Sequence, residues 1–484
     1  MNTLNFFFSQ TLRRSFLSFV IVAVSAAGVF SQTKEITILA VNDMHASIDR
    51  FPKFVALVDS MRTVYPDLLL FSAGDNITGN PASDMHPQPS SPMVALMNRA
   101  RFNLSLLGNH EFDGGLDQLR YMINHSDFRY ICANMYAPDS LRLHVEPYRI
   151  FEIDGVRIGV LGLLQTGANG LPDAHPDKLR GVTFRPLDQV AEQYSWLRQQ
   201  CNVFIVLAHE GYKACVQFLN QYPYPDVLIG SHTHKPIAET ELHNGVMITQ
   251  ADSHLKFVSH ITLHLTDGVV TKKENRLLDV NAFSRQDPEV QTMVDDYNNN
   301  EALLRILTQA ITDFGSYEEL GYLMCDAIRM ETGADIVLQN PGGVRINSFP
   351  KGVITVRDVY RLDPFMNEVI EFVLTGEELL RLIEAAYIAE NKLPPLVSGI
   401  TYEMELDKQR NVEKIEVRMA DGSRLNMQRT YRVVMNSYIA AVSQYEKSDP
   451  GKNLFSTTPE LIIQYLEKQP AIDYKGEKRI TIKN

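Results

Sequence analysis

One pattern recurs over residues 35–278 and restricts the fold more than any other feature of the sequence. Short apolar runs, each of the length of a buried β-strand, end abruptly in polar clusters; they are EITILAV, DLLLFSAG, FNLSLLG, VRIGVLGLL, VFIVLAH and DVLIGSH. Amphipathic stretches separate several of them, and in PKFVALVDSM one helical face consists of Phe54, Leu57, Val58 and Met61. Strands that alternate with helices predict a layered α/β domain whose ligands gather beyond the strand ends.

The pattern changes at residues 286–307, which are polar, helix-prone and interrupted by three successive Asn residues. We interpret them as an interdomain linker helix that starts near Pro288. A second α/β pattern follows, with a predicted helix over 320–329, a strand over 334–339, a turn over 340–343 and a helix from Gly376 that Thr375 and Glu378 cap. A chain of 484 residues is long enough for two domains, and we predict them at 32–285 and 308–484.

The N-terminal residues 1–31 have the layout of a cleavable secretory signal. Arg13 and Arg14 precede the apolar stretch FLSFVIVAVSAAGVF, which ends at Ser31. An uncleaved membrane anchor is the alternative, but the stretch is shorter than the ~20 residues that span a bilayer. No Cys follows it directly, which disfavours a lipoprotein anchor. We therefore expect an exported protein, periplasmic or extracellular, without a stable membrane anchor after signal cleavage.

Net charge narrows the class of binding partner. The formal charge is −12, and loss of residues 1–31 removes two Arg and no acidic residue, which gives −14. A nucleic-acid polymer would be repelled, since no Lys/Arg cluster offers a basic face. Small phosphorylated substrates remain possible because a metal site supplies positive charge locally.

The chain has four cysteines and no C-x-x-C pair, which argues against a thiolate zinc site or a redox motif. Export would permit a disulfide. Buried free thiols are nevertheless the simpler interpretation, because three of the four lie in or beside apolar runs; the four are Cys132, Cys201, Cys215 and Cys325.

Five of the thirteen His residues occur in the strand-end clusters, alongside Asp and Asn. The clusters are N-D-M-H at 42–45, G-D-N at 74–76, G-N-H-E-F-D at 108–113, H-E-G at 209–211 and G-S-H-T-H at 230–234. Each one alone is consistent with an ordinary capped loop. Together, nitrogen and oxygen ligands without Cys, expected along one edge of one sheet, are typical of a dinuclear divalent-metal site.

Ligand spacing adds to this interpretation. In an extended D-x-H segment both side chains point the same way, so Asp43 and His45 can bind one ion together, and His232 and His234 share this spacing. Asp75 follows Gly74 at a tight strand exit. We expect its carboxylate to bridge two ions ~3.5–4 Å apart.

The series D-x-H, G-D-x-x-x-G, G-N-H-E-F-D, H-x-G and G-x-H-x-H resembles the calcineurin-type metallophosphoesterases. The C-terminal half is similar to that of the 5′-nucleotidase / UDP-sugar hydrolase family, through N-P-G-G-V-R at 340–345, G-V-I-T at 352–355, P-F-M-N at 364–367 and L-V-S-G at 396–399. The resemblance covers nearly the whole chain after residue 31. It implies a metallophosphoesterase sandwich followed by a smaller α/β substrate-binding domain.

The resemblance also implies residue roles. It places one divalent ion on Asp43, His45, Asp75 and His234, and a second on Asp75, Asn109, His209 and His232. It places His110, oriented by Asp113, against the phosphoryl oxygens and the leaving group rather than on a metal. The other eight His residues receive no functional role; they are His86, His125, His144, His175, His243, His254, His260 and His264.

For the C-terminal domain the resemblance implies a nucleotide base held between two aromatic rings, Phe365 and Tyr438, with polar contacts from Asn340 and Arg345. The sequence departs from the family's pattern at two places. The family's G-G-D-G-[YF] segment is replaced by A-V-S-Q-Y at 441–445, and an Arg expected shortly before L-G-Y-L at 320–323 is absent. Both departures concern the contacts that would select a nucleotide.

We therefore expect a phosphoesterase that acts on nucleoside 5′-monophosphates with two divalent ions, of which Zn, Mn, Co and Mg are candidates. One alternative keeps the metal site and changes the substrate to a cyclic nucleotide, a sugar nucleotide or a sulfur ester. Another is a non-catalytic binding module with an altered C-terminal pocket. The complete set of metal ligands argues against the module.

Overall fold

A computed structural model describes residues 32–167 and 169–483. The predicted secretory signal at residues 1–31 lies outside the described residues. Within these two ranges no helix is both long enough and apolar enough to cross a membrane. All four cysteines are buried and free, which confirms the expectation from the sequence.

The N-terminal domain contains two six-stranded sheets and one small two-stranded sheet. Its strands are β1 Thr33–Val41, β2 Leu69–Ser72, β3 Leu104–Leu106, β4 Arg129–Ile131, β5 Met135–Tyr136, β6 Tyr148–Ile153, β7 Val156–Leu164, β8 Thr183–Phe184, β9 Val203–His209, β10 Val227–Gly230, β11 Glu241–His243, β12 Val246–Thr249, β13 Phe257–Thr266 and β14 Val269–Asp279. All six apolar runs of the sequence form strands here.

The two large sheets have the strand orders β14-β13-β1-β2-β3-β4 and β11-β12-β10-β9-β7-β6. Strands β1 to β4 are parallel in the first sheet, and β7, β9, β10 and β12 are parallel in the second. Their carboxyl ends carry the polar clusters. The expectation that one sheet carries all the clusters is therefore wrong, because the chain crosses from the first sheet to the second before β9.

The sheets pack face to face, which explains why their strands are apolar on both sides. Ile38 and Phe71 from the first sheet and Ile205 and Val227 from the second share one buried core. Helices cover the outer faces. They are α1 Phe51–Val64, α2 Pro81–Asp84, α3 Ser91–Ala100, α4 Gly115–His125, α5 Leu187–Tyr194, α6 Leu197–Gln200 and α7 Tyr212–Gln221. The domain is a four-layer sandwich.

The segment predicted as one linker helix holds two helices, α8 Pro288–Asn298 and α9 Glu301–Leu304. The side chain of Asn300 accepts a hydrogen bond from the backbone N–H of Ala302 and so starts a new helix. Val294 of α8 belongs to the N-terminal core, whereas Leu303 of α9 belongs to a core of the C-terminal domain. The residues of the N-terminal core therefore end before the three Asn residues, and those of the C-terminal core begin after them.

The C-terminal domain is built on a five-stranded sheet of order β19-β16-β22-β18-β23, with a three-stranded sheet and a two-stranded sheet beside it. Its strands are β15 Ile306–Ala310, β16 Ile336–Gln339, β17 Gly352–Thr355, β18 Glu368–Thr375, β19 Leu396–Ser398, β20 Ile400–Leu406, β21 Val412–Met419, β22 Thr430–Asn436, β23 Lys452–Thr457 and β24 Ile480–Lys483. Its helices are α10 Tyr317–Thr332, α11 Val356–Leu362, α12 Gly376–Ala389, α13 Ser437–Val442 and α14 Thr458–Glu467.

Local signals in the sequence account for several of these elements. The hydroxyl of Thr375 and the carboxylate of Glu378 form both bonds of a capping box at the start of α12, as their spacing predicts. The predicted turn at 340–343 becomes a short 3-10 helix, Pro341–Gly343. It directs the chain from β16 toward the N-terminal domain.

Gly399, between β19 and β20, offers a test of how tightly the C-terminal domain is packed. Its φ is 83°, and a Cβ built on it would lie 2.0 Å from the backbone oxygen of Asp335. Gly422 has a φ of 81° and nothing within 4 Å of the same position. Gly422→Ala should therefore cost only the left-handed backbone penalty of ~1–2 kcal/mol. Gly399→Ala should cost ~1–3 kcal/mol more, because a backbone oxygen must move.

Urea unfolding of both variants against the wild type measures this difference. Equal loss of unfolding free energy in the two variants would show that the contact with Asp335 does not restrict this turn.

Candidate metal centre and substrate cleft

The polar clusters of both sheets meet at one end of the sandwich. The loop after β1 carries Asp43 and His45, and the loop after β2 carries Asp75. The loop after β3 carries Asn109 and His110. His209 is the last residue of β9, and His232 and His234 lie in the loop after β10. The structure thus brings together the residues that the sequence proposed as metal ligands.

The directions of these side chains are set by turns of the backbone and not by an extended segment. Five of the seven proposed ligands have a left-handed backbone, with φ of 48° at Asp43, 45° at His45, 55° at Asp75, 76° at His232 and 53° at His234. The expectation that Asp43 and His45 share a side by strand alternation is therefore wrong. Residues other than Gly adopt this conformation at ~1–2 kcal/mol each. Such strain concentrates at functional sites.

Asp43, His45 and His234 form one group, in which one ligand atom from each residue lies within 4.8 Å of the others. The two Nε2 atoms of His45 and His234 are 3.1 Å apart, and Nε2 of His234 is 3.6 Å from Asp43 Oδ1. Burial and the nearby guanidinium of Arg345 lower the pKa of both imidazoles, that of His234 to about 3. Neutral imidazoles with converging nitrogens suit a cation.

Asp75, His209 and His232 form a second group with the same spacing. His209 Nε2 lies 3.1 Å from Asp75 Oδ2 and 3.1 Å from Asn109 Oδ1. Asp75 also groups with His45 and His110. Its carboxylate therefore lies between the two groups, where a bridging ligand would be.

The remaining imidazole nitrogens are used to orient the rings. His45 Nδ1 is 3.2 Å from the carbonyl oxygen of Thr78, and His209 Nδ1 is 3.0 Å from that of Ala73. A carbonyl can only accept, so each Nδ1 donates to it, which leaves Nε2 as the nitrogen that would bind an ion. The donor set of imidazole nitrogen and carboxylate and amide oxygen, without Cys, fits divalent ions such as Zn²⁺ or Mn²⁺.

His110 lies beside this set, and its Nδ1 is 2.7 Å from Asp113 Oδ2. Burial acts to lower the pKa of His110, but the carboxylates of Asp75 and Asp113 outweigh it and raise that pKa. The backbone N–H of His110 donates to Asp75 Oδ1 at 2.9 Å. His110 is thus placed against the candidate bridge with its Nε2 facing the cleft.

Two C-terminal residues reach across to the same point. Nη2 of Arg345 lies 3.3 Å from His110 Nε2 and 3.5 Å from His45 Nε2. The Phe365 ring stacks on the His110 ring, with centroids 5.7 Å apart and planes 20° apart. The guanidinium carbon of Arg345 is 5.5 Å from the Phe365 ring centre. The site is therefore a cleft between the domains.

Asn340 and Tyr438 lie farther from the proposed metal ligands. Asn340 is buried in an amide network, where its Oδ1 accepts from Asn436 Nδ2 at 2.8 Å and its Nδ2 donates to Glu390 Oε1 at 3.2 Å. Tyr438 is half-buried in the first turn of α13. Among the ring contacts of the described ranges, none joins Tyr438 to Phe365.

Glu111 is a functional residue that reasoning from the sequence missed. It is fully buried, and its carboxylate accepts from the backbone N–H groups of Asp75 at 3.0 Å, Asn76 at 2.7 Å and Gly108 at 2.6 Å, and from Asn76 Nδ2 at 3.0 Å. It joins the loops that carry Asp75 and Asn109. The G-N-H-E motif contained the signal, since a charged residue beside a buried strand end requires partners.

His254 is a second residue that was assigned no function. Its ring centre is 5.2 Å from that of His45, and its backbone N–H donates to the carbonyl of Asp43 at 2.7 Å. It follows β12, at the same end of the sandwich. This hydrogen bond stabilises the turn at Asp43.

Two family models match the chain. One is described as calcineurin-like phosphoesterase and matches residues 36–236, and the other, 5′-nucleotidase, C-terminal domain, matches residues 307–444. Together they account for more than half of the chain. Their boundaries lie on either side of the two short helices α8 and α9.

Curated relatives and solved structures agree with these matches. A 5′-nucleotidase of Vibrio parahaemolyticus is 26% identical over 93% of this chain and 94% of its own length. Endonuclease YhcR of Bacillus subtilis is 25% identical over 92% of this chain, which spans only 41% of that protein. The crystal structure of a 5′-nucleotidase precursor from Thermus thermophilus superposes with a TM-score of 0.83 at 24% identity, covering 93% of this chain and 100% of its own. The predicted two-domain α/β fold is confirmed.

Glu111→Gln should weaken binding of divalent ions by roughly 10- to 100-fold, because a supporting carboxylate that orders two ligand loops is lost. The measurement is activity against ion concentration after chelation of the purified protein. Asp117→Asn is the control, since its side chain is 92% exposed. An ion dependence equal to that of the wild type would show that Glu111 does not position the ligands.

Proposed function

This chain is a metal-dependent phosphoric ester hydrolase that belongs to the 5′-nucleotidase family, and on that premise we propose that it hydrolyses nucleoside 5′-monophosphates to nucleoside and phosphate. The observation that carries the proposal is the contact of Arg345 and Phe365 with His110 across the two domains. A cation for phosphate and a ring for a base thus meet beside the proposed metal ligands. The signal-like residues 1–31 support a periplasmic or extracellular location.

We assign two divalent-ion sites to the cleft. Asp43, His45, Asp75 and His234 would hold one ion, and Asp75, Asn109, His209 and His232 the other. The convergence of these donors around Asp75 supports the assignment. Bound there, such ions polarise the phosphoryl group and activate water for in-line attack.

His110 and Arg345 would bind the transferring group. The carboxylate of Asp113 holds the proton of His110 on Nδ1, so that Nε2 faces the phosphoryl oxygens and the leaving oxygen. Arg345 offers a planar set of donors that matches phosphoryl oxygens. Both groups stabilise negative charge as it develops on transfer.

Phe365 and Tyr438 would hold the leaving group, and Asn340 would support this part of the cleft. A nucleoside base stacks on aromatic faces without sequence-specific contacts. Asn340 would act through its fixed amide network rather than as a mobile contact, because its partners are Asn436 and Glu390. This arrangement supports a nucleoside as the leaving group.

His110→Ala should lower kcat by roughly 10²–10⁴-fold, since the variant loses acid/base and electrostatic assistance in the transition state. Its backbone N–H still donates to Asp75, so the ion content should stay unchanged. Metal analysis alongside kinetics measures both quantities, and His125→Ala on α4 is the control. Parallel loss of ions and activity would make His110 a ligand instead.

Phe365→Ala or Tyr438→Ala should lower kcat/KM for a nucleoside 5′-monophosphate by roughly 5- to 150-fold, the value of one lost stacking contact. Hydrolysis of glycerol phosphate should hardly change in Tyr438→Ala, and it should fall less than nucleotide hydrolysis in Phe365→Ala, whose ring also contacts His110. Phe455→Ala, at a ring 87% exposed, is the control. Equal slowing of both esters would mean that the rings serve packing and that the substrate is not a nucleotide.

A further inference from the structure

Two carboxylates near Tyr438 have no part in the proposed reaction. Asp173 belongs to the N-terminal domain and Glu390 to the C-terminal domain, directly after α12. Burial raises the pKa of Glu390, and the charge of Asp173 raises it further. The two carboxylates therefore lie close enough for their charges to interact across the domain boundary.

Glu390 is held in a fixed position. Its Oε1 accepts from Asn340 Nδ2 at 3.2 Å, and its Oε2 accepts from the backbone N–H of Gly342 at 3.1 Å. Asn340 is itself held by Asn436 Nδ2 at 2.8 Å. A carboxylate has about four acceptor positions. Two acceptor positions remain beyond these bonds.

Asp173 is attached to the rim of the proposed metal centre. Its carbonyl oxygen accepts from Asn109 Nδ2 at 3.1 Å, and its Oδ2 is 3.5 Å from His232 Nε2. The side chain is 42% exposed, so solvent reaches its carboxylate.

Glu390 is linked to Tyr438 through Asn340 and Asn436, because Asn436 caps α13. Burial raises the pKa of the Tyr438 hydroxyl, and the carboxylates of Glu390, Asp173 and Asp113 raise it further. The guanidinium of Arg345 lies instead at the phosphoryl end, on His45 and His110. Glu390 and Asp173 thus add negative charge near Tyr438, whereas Arg345 adds positive charge beside His45 and His110.

We propose that Glu390 and Asp173 select phosphomonoesters whose leaving group is uncharged and rich in O–H or N–H donors, and reject esters that carry a further phosphate. This inference rests on the proposed function and narrows it to monophosphates. Carboxylates accept hydrogen bonds from hydroxyl groups and repel a second anion in a partly buried cleft. Specificity here comes from repulsion as well as attraction.

Glu390 also compensates for a departure in the sequence. The segment A-V-S-Q-Y at 441–445 offers no carboxylate after Tyr438. The end of α12 supplies one from another part of the chain, next to Asn340. In this proposal Glu390 would accept hydrogen bonds from the leaving group in place of the missing motif.

The test compares Glu390→Gln and Asp173→Asn with the wild type, each as full-length enzyme loaded with divalent ion. Glu384→Gln, an exposed position on α12, is the matched control. The readout is the ratio of kcat/KM for a nucleoside 5′-monophosphate to that for its 5′-diphosphate. The same ratio is measured for fructose 1-phosphate and fructose 1,6-bisphosphate.

The wild type should favour the singly phosphorylated member of each pair. Glu390→Gln and Asp173→Asn should each reduce that preference by about tenfold, as removal of one charge at short range requires, and Glu384→Gln should leave it unchanged. Unchanged ratios in both variants would overturn the inference, and so would equal slowing of every ester. If no nucleotide is hydrolysed but the fructose ratio shifts, the proposed function fails and the charge selection stands.

Discussion

The carboxylate of Glu111 is the interaction on which the rest of the site depends. It binds four N–H donors from two loops that leave neighbouring strands, and it fixes the distance between Asp75 and the Gly108–Asn109 turn. A buried charge is costly unless it is fully hydrogen-bonded. Here the bonds serve a second purpose, because they hold Asp75 in a left-handed conformation that its own backbone disfavours.

The two domains contact each other at the same end of the sandwich. Arg345 reaches His45 and His110, where burial lowers its pKa and the carboxylates of Asp75, Asp113 and Asp43 act in the opposite direction. In the proposed reaction this guanidinium would face the phosphoryl oxygens. The Phe365 ring lies beside it and stacks on the ring of His110.

Much of this organisation could be predicted from the sequence. The six apolar runs form strands, the Thr375 capping box starts α12, and the calcineurin-type motifs identify the family. Strand alternation failed at Asp43 and His45, because left-handed turns are set by tertiary contacts rather than by local pattern. The second sheet and Glu390 could not be located either. Both depend on pairings between residues far apart in the chain.

The division of the proposed ligands between two sheets has a consequence for when an ion could be acquired. Asp43 lies in the first sheet's loops and His234 in those of the second, so most of the N-terminal domain must fold before the pair exists. Binding energy then becomes folding energy of that domain. Under the export that we propose, the chain would fold after it crosses the membrane, and the compartment where it folds would supply the ions.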